Sequence, residues 1–523
     1  VNILEFIVFF PLIAALAILL GSPARFTALA AMGLNALATV AVLAKFQTKF
    51  SGEQAFPFQL GRAEPPVVLE GGSGMPEIAL SFGVDGISLI LLILTAIVGL
   101  AAVWVSPSES AIRDQRDNSP KLFYASLLLI VAGALGAFLS TDLFFLFAFH
   151  ELALIPTFLM IGIFGYGKTR VRSAWTITIY LGVGSLVLLA GLIALVVHLG
   201  GATTSLVDMQ TFAGGAAALS ESSQKWIFLL LLLGFGVLVS LFPLHTWAPS
   251  AYADAPTPVA MLHAGVLKKF GLYGLIRVAL PMLPVGLADW QNLMLILLIG
   301  NIIIIGLVTI AQKRLDLMLG HSSVMHMGFA FLGIASANII GVSGAVMLMF
   351  AHGCSIALQF ALCGNMRDRD PALLNLDNNG GLAKKMPALG LLFGFAAFAS
   401  IGLPGFANFV SEIMVFFGAF KRFFDKPQDG ILFITIAGMI ALWGVVISAV
   451  YMLRAYRKIF MGDAMKNSPT AKADPPFSDL SWGERLPLLL LLGALLIVGL
   501  RPGLLLDLLT PTIESMSRLS GQL

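Results

Sequence analysis

The chain has 523 residues, is 58% hydrophobic and carries only 11% charged side chains. A soluble globular domain carries about 25% charged residues, so this composition excludes one. The net charge of +3 is too small to suggest a nucleic-acid partner. Apolar stretches of about 18 residues or more recur from end to end, the mark of an all-α polytopic membrane protein.

The chain opens on "VNILEFIVFFPLIAALAILLG". It has neither a basic leader nor a convincing small-residue cleavage site, so it reads as a retained first helix. With about 20 residues needed per span, the pattern predicts fourteen helices. They run approximately over 3–21, 26–46, 83–105, 122–139, 142–164, 174–199, 226–247, 257–280, 290–312, 315–337, 341–364, 387–420, 430–460 and 486–506. The interval 47–81, rich in Gly, Pro and Glu, reads as an extramembrane loop, and "GDAMKNSPTAKADPPFSDLSWGE" (462–484) as a second. Neither is long enough to bury a core of its own. Cys354 and Cys363 share one apolar segment without Cys-x-x-Cys spacing and read as small buried hydrophobes rather than cluster or zinc ligands.

Two spans are interrupted. "SLFPLHTWAPS" places Pro243 and Pro249 in the seventh, and "ASIGLPGFANFVSE" places Gly402, Pro404 and Gly405 in the twelfth. Proline removes a helix hydrogen bond, and broken backbone is tolerated in a membrane only where protein or a wet cavity surrounds it. Two breaks five spans apart are what inverted repeats predict, although Pro and Gly are also simply common in membrane helices.

Basic residues set the orientation. Connections leaving odd-numbered spans hold 19 of them, from Arg25 to Arg485, whereas the other side holds 10, including Lys225 and Arg277. Both termini are therefore expected on the non-cytoplasmic side. Lys268 and Lys269, in "LHAGVLKKFGLYGLIR", belong to neither set and lie mid-span. A charge there costs about 2.5–3.5 kcal/mol on insertion scales.

Four ionisable groups lie away from span ends: Glu151, Lys268, Lys269 and Glu412. His150, His245, His263, His326 and His352 join them. Any single histidine reads equally well as a satisfied core residue, whereas for Glu151, Lys269 and Glu412 a purely structural ion pair is the lesser reading. As a set they suit proton movement. A buried lysine's pKa falls and nearby carboxylates raise it again, while histidine titrates near neutrality. No cluster-binding cysteines, phosphate loop, dinucleotide fingerprint or nucleophile triad accompany them, which speaks against redox chemistry or hydrolysis in this chain.

At these residues a family resemblance emerges. "FGVDGISL", "FHELALIPTFLMIGIFG", "PLHTWAPSAYADAPTPVAMLHAGVLKKFGLYGLIR", "GHSSVMHMGF", "AHGCSIALQFALCG" and "GGLAKKMP…GLPGFANFVSE" follow one another over about 82–420. In content and order they resemble the antiporter-like subunit M (chain 4) of bacterial respiratory complex I, the NADH-quinone oxidoreductase. The resemblance implies fourteen helices with two inverted five-helix repeats, discontinuous at spans 7 and 12. It divides the chain into an N-terminal part (1–121), a first repeat (122–280), a second (290–460) and a C-terminal part (461–523). It implies a proton relay through Glu151, Lys269, His326, His352 and Glu412, in a non-redox subunit of a proton-translocating enzyme. It also implies neighbouring antiporter-like subunits in a bacterial inner membrane. No cofactor is expected in this chain; flavin, iron–sulfur clusters and quinone are expected in partner subunits.

The sequence departs from that pattern in three places. The usual lysine of span 7 is Leu238, and the tryptophan before the span-5 glutamate is His150. "QKRLDLMLGHSS" carries Asp316 and His321 where lysine and tyrosine are usual. Successive helical residues project about 100° apart, so Lys268 and Lys269 cannot point the same way. Lys268, helped by His150, is the expected substitute cation for Glu151; the alternative is that it snorkels. Two further functions stay open: a subunit of a Mrp-type cation/proton antiporter or membrane hydrogenase, and a non-pumping scaffold subunit.

Overall fold

The computed structural model describes residues 2–47, 58–61, 65, 67–69, 76–114, 118–213, 219–377, 379–425, 432–463 and 477–520. Lys49, Arg62, Arg116, Lys426, Lys466 and Lys472, all used in the orientation count, lie outside them, and of Arg518 only the backbone is described. Thirteen helices among the described residues are long and apolar enough to cross a membrane. They are Ile3–Leu20, Ala24–Lys45, Gly86–Val105, Pro120–Leu139, Leu143–Phe164, Arg170–His198, Glu221–Val239, Thr257–Met282, Pro284–Ala311, Leu315–Ala335, Ile339–Arg369, Phe433–Phe460 and Trp482–Leu500. Between the eleventh and the last two, Pro387–Ile401 and Ala407–Asp425 form one further, divided span. Counting it as the twelfth makes fourteen, in the predicted order. The protein is a multi-pass membrane protein.

Both breaks stand where Pro and Gly placed them, and the backbone turns left-handed at each. Span 7 stops at Ser240 (φ 66°) and resumes as Trp247–Asp254. Span 12 stops at Gly402 (φ 78°) and resumes at Ala407. The first break is pinned by one amide from span 9. Asn301 accepts from the Phe242 N–H at 2.6 Å and donates to the carbonyls of Ser240 and Val324 at 3.0 and 2.9 Å. Broken backbone buried in protein needs such replacement partners.

Span 8 is the most enclosed of the long helices: every residue of its apolar window is buried. It contains wide turns at His263–Leu267 and Leu275–Ala279, the first closed by Lys268 N–H donating to His263 C=O at 3.0 Å. Such turns re-aim the side chains that follow.

Three expectations need correction. Arg277, counted among the connecting residues, is fully buried and paired with Asp85, with its guanidinium 4.8 Å from the Phe58 ring centroid. The last span ends at Leu500 rather than near 506, and a separate helix, Gly503–Ser520, follows. Leu505, Leu508, Leu509, Thr512, Ile513 and Met516 are its buried side chains, at helical spacing. Finally, the loop 47–81 is not wholly irregular, because Val68–Leu69 pairs antiparallel with Ile78–Ala79.

Candidate functional site

Lys269 and Lys268 leave span 8 in different directions, as their angular separation requires. The Lys269 ammonium donates to the Ala264 carbonyl at 2.6 Å and lies 2.9 Å from His352 Nδ1 on span 11. The His352 and His326 rings are 5.6 Å apart, which carries the line onto span 10. His326 Nδ1 is 2.8 Å from the Ser322 carbonyl, and its Nε2 is 3.1 Å from that of Ser400 on span 12. A neutral imidazole can donate to only one of two carbonyls, an imidazolium to both. Loading a proton on His326 therefore creates a hydrogen bond.

Ser400 is two residues before the break at Gly402, and there the line meets Glu412. Glu412 is 5% exposed, and its Oε1 has no partner among the described residues. Its Oε2 lies against Gly402 so closely that a Cβ at that glycine would be 2.6 Å away. The missing side chain is what makes room for the carboxyl. No acidic group is paired with Lys268 or Lys269 among the described residues, and the row from Lys269 to Glu412 is buried throughout.

At the other end, Glu151 lies 3.3 Å from His150 Nδ1, and its side chain is 36% exposed whereas that of His150 is 4% exposed. His150 stacks on Phe270, centroids 4.0 Å apart. Lys268 corrects the sequence reading. It neither snorkels, being fully buried, nor pairs directly with Glu151. Its ammonium donates to Ser323 Oγ at 3.3 Å on span 10 and lies 5.5 Å from the Tyr252 ring centroid. His245 stands in the first break, stacked on Phe242, with Nδ1 buried and without a protein partner among the described residues. The expected residues thus form two groups: Glu151 with His150, and Lys269 with His352, His326 and Glu412. Lys268 stands between spans 8 and 10.

Several participants escaped the sequence reading. Tyr252, Ser323, Ser322 and Tyr451 are polar side chains whose roles depend on which helix faces them; Ser322 Oγ and the Tyr451 hydroxyl are 2.8 Å apart. Asn301, alone in "LIGNIIIIG", was the one with a legible signal, because a lone amide in an apolar span needs partners. Asp316, at the anomalous position near the start of span 10, is fully buried between Arg314 and Arg367, at 2.6 and 2.9 Å.

The chain is thus a polytopic helical membrane protein with two broken spans and a buried row of Lys, His and Glu. Residues 140–441 match the family described as NADH:quinone oxidoreductase/Mrp antiporter, TM, and the chain belongs to that family. It is 35% identical to NAD(P)H-quinone oxidoreductase chain 4 1 of a Picosynechococcus species, over 86% of this chain and 80% of that one. It is 31% identical to NADH-quinone oxidoreductase subunit M of Rhodobacter capsulatus, over 98% and 96%. Among solved structures, a chain of respiratory complex I from Thermus thermophilus with bound NADH superposes with a TM-score of 0.83 at 28% identity, covering 99% and 100%. A chain of the Mrp complex from Dietzia shares the fold, with a TM-score of 0.76 at 21% identity.

Proposed function

We propose that this chain is a proton-translocating membrane subunit of an NADH-quinone oxidoreductase, and that Glu151, Lys269, His352, His326 and Glu412 carry the protons. The observation that carries this reading is the line Lys269–His352–His326–Ser400, ending at a buried carboxyl beside broken backbone. Titratable groups in contact, in low dielectric and without fixed counter-ions, change charge readily when a neighbour does. The likeness to subunit M along nearly the whole chain supports the assignment. The redox centres belong to partner subunits, and this chain contributes the membrane path. Both termini lie on the non-cytoplasmic side of a bacterial inner membrane, as the basic-residue asymmetry favours. The partly exposed Glu151 carboxyl is unsuited to lipid, so a neighbouring antiporter-like subunit covers that face.

Lys269 tests the reading. In an assembled complex, Lys269→Ala stops proton translocation, and Lys269→Arg impairs it as well, because arginine effectively cannot deprotonate. Full pumping in either assembled variant would sink the relay. The likeness to the Mrp fold favours one second reading, a cation/proton antiporter subunit. Sodium-dependent transport without quinone reduction in the purified assembly would select it.

A further inference from the structure

We propose that one water held between His150 and His263 links Glu151 to the interior of the protein, taking the place of a cation on span 7. This rests on the proton-carrying reading above and adds an entry step to it. A small cavity, with about 10 Å³ open to the centre of a water molecule, has His150 from span 5, Leu238 from span 7 and His263 from span 8 in its wall. The rest of its lining is alanine and leucine. A water needs roughly 10–15 Å³ on this measure and two or more polar partners. The cavity therefore suits a single molecule, and the two imidazoles are its polar side chains.

The ring nitrogens are disposed for that role. His263 is 3% exposed, and its Nε2 has no protein partner among the described residues. Its Nδ1 is 3.4 Å from the Tyr252 hydroxyl, which fixes the ring from its other side. His150 faces Glu151 through Nδ1 at 3.3 Å and is held flat by Phe270. Its one hydrogen bond among the described residues is made through Nδ1, and the residue lines the cavity.

A proton leaving the Glu151 carboxyl enters His150 at Nδ1, and His150 releases another from Nε2 to the water. The water passes one on to His263 Nε2 and keeps two hydrogens. One proton has left Glu151, one has arrived at His263, and His150 and the water carry no net change. Beyond His263, the face of Tyr252 lies 5.5 Å from the Lys268 ammonium, so charge on His263 is felt at the paired lysines. Leu238 and His150, two of the positions where the motif pattern is broken, thus meet on one cavity. Leu238, at the position of the usual span-7 lysine, lines the same cavity.

The test uses the assembled complex in membrane vesicles, with assembly checked on native gels and pumping read beside quinone reduction. His263→Gln keeps a hydrogen-bonding side chain but cannot carry a proton, and pumping is expected to fall several-fold. Leu238→Phe, which fills the cavity and removes no titratable group, is expected to do the same. Leu238→Lys introduced into His263→Gln should restore pumping, an outcome a merely structural His263 would not produce. Wild-type pumping in assembled His263→Gln or Leu238→Phe, or no restoration by lysine, overturns the water link. Lys269→Ala separates the two failures. If it stops pumping while His263→Gln does not, the relay stands and the link falls; if neither does, the relay reading has failed.

Discussion

Gly402 offers a perturbation whose parts can be worked separately. Alanine there must adopt φ near 78°, and its Cβ would stand 2.6 Å from Glu412 Oε2. The left-handed conformation costs an L-residue about 1–2 kcal/mol. Overpacking costs about 1–3 kcal/mol, but Oε2 is the end of a flexible side chain and swings aside before the backbone moves. The low end, about 1 kcal/mol, therefore applies. Gly402→Ala should destabilise the protein by about 2–3 kcal/mol in total, with the conformational part the larger. Glu412→Ala removes the obstructing carboxyl, so in that background only the conformational part remains. The coupling between the two substitutions should be about 1 kcal/mol, roughly a factor of five in the folded-to-unfolded ratio. Detergent-induced unfolding of the full chain in mixed micelles measures all four corners of the cycle. Strictly additive effects would refute the contact between the carboxyl and the glycine. In the assembled complex, Gly402→Ala should also slow pumping, because it displaces the terminal carboxyl.

Three further outcomes follow from the same geometry. Arg277→Met strands the buried Asp85 carboxylate and should cost about 3–5 kcal/mol in the same unfolding assay, while adding Asp85→Leu recovers most of it; equal stability of the single and double variants would contradict this. Asn301→Leu leaves the Phe242 N–H and the Ser240 carbonyl without a partner at about 1–3 kcal/mol per group, so the yield of assembled protein should drop sharply, and wild-type yield and thermal midpoint would count against the pin. Glu412→Gln keeps the shape but cannot titrate, and should insert normally while pumping less; unchanged pumping in vesicles would remove Glu412 from the relay.

The sequence carried the spans, because apolar length alone marks a membrane helix, and it carried the breaks, because Pro243 and Gly402 have only a few backbone options. It also singled out Lys269, His326, His352 and Glu412, of which the structure brings the first three into one line that ends beside the fourth. The direction of Lys268 was not legible. It depends on the wide turn at His263–Leu267, which shifts the helical register, and on Ser323 facing it across 55 residues of chain. Arg277 was misplaced because its partner, Asp85, lies 192 residues away. A basic residue near a span end looks the same in sequence whether it reaches headgroups or a buried carboxylate. The Gly503–Ser520 helix carried a readable signal, "RPG" followed by an amphipathic stripe, but its leucines merged with those of the preceding span.

That helix has a consequence for how the protein is made. Its Thr512 hydroxyl accepts a hydrogen bond from the Gly86 N–H at 2.9 Å, across 426 residues of chain, and its Leu508 carbonyl presses on the same glycine. Gly86 begins the third span, so its amide is an orphan donor that the helix itself cannot satisfy. At about 5–20 residues per second, roughly 20–90 seconds of synthesis separate the appearance of the two partners. Throughout that interval the Gly86 N–H lacks the Thr512 hydroxyl that it donates to in the folded chain. The closure that hides it comes only when the late helix packs back onto a surface synthesised some 20–90 seconds earlier.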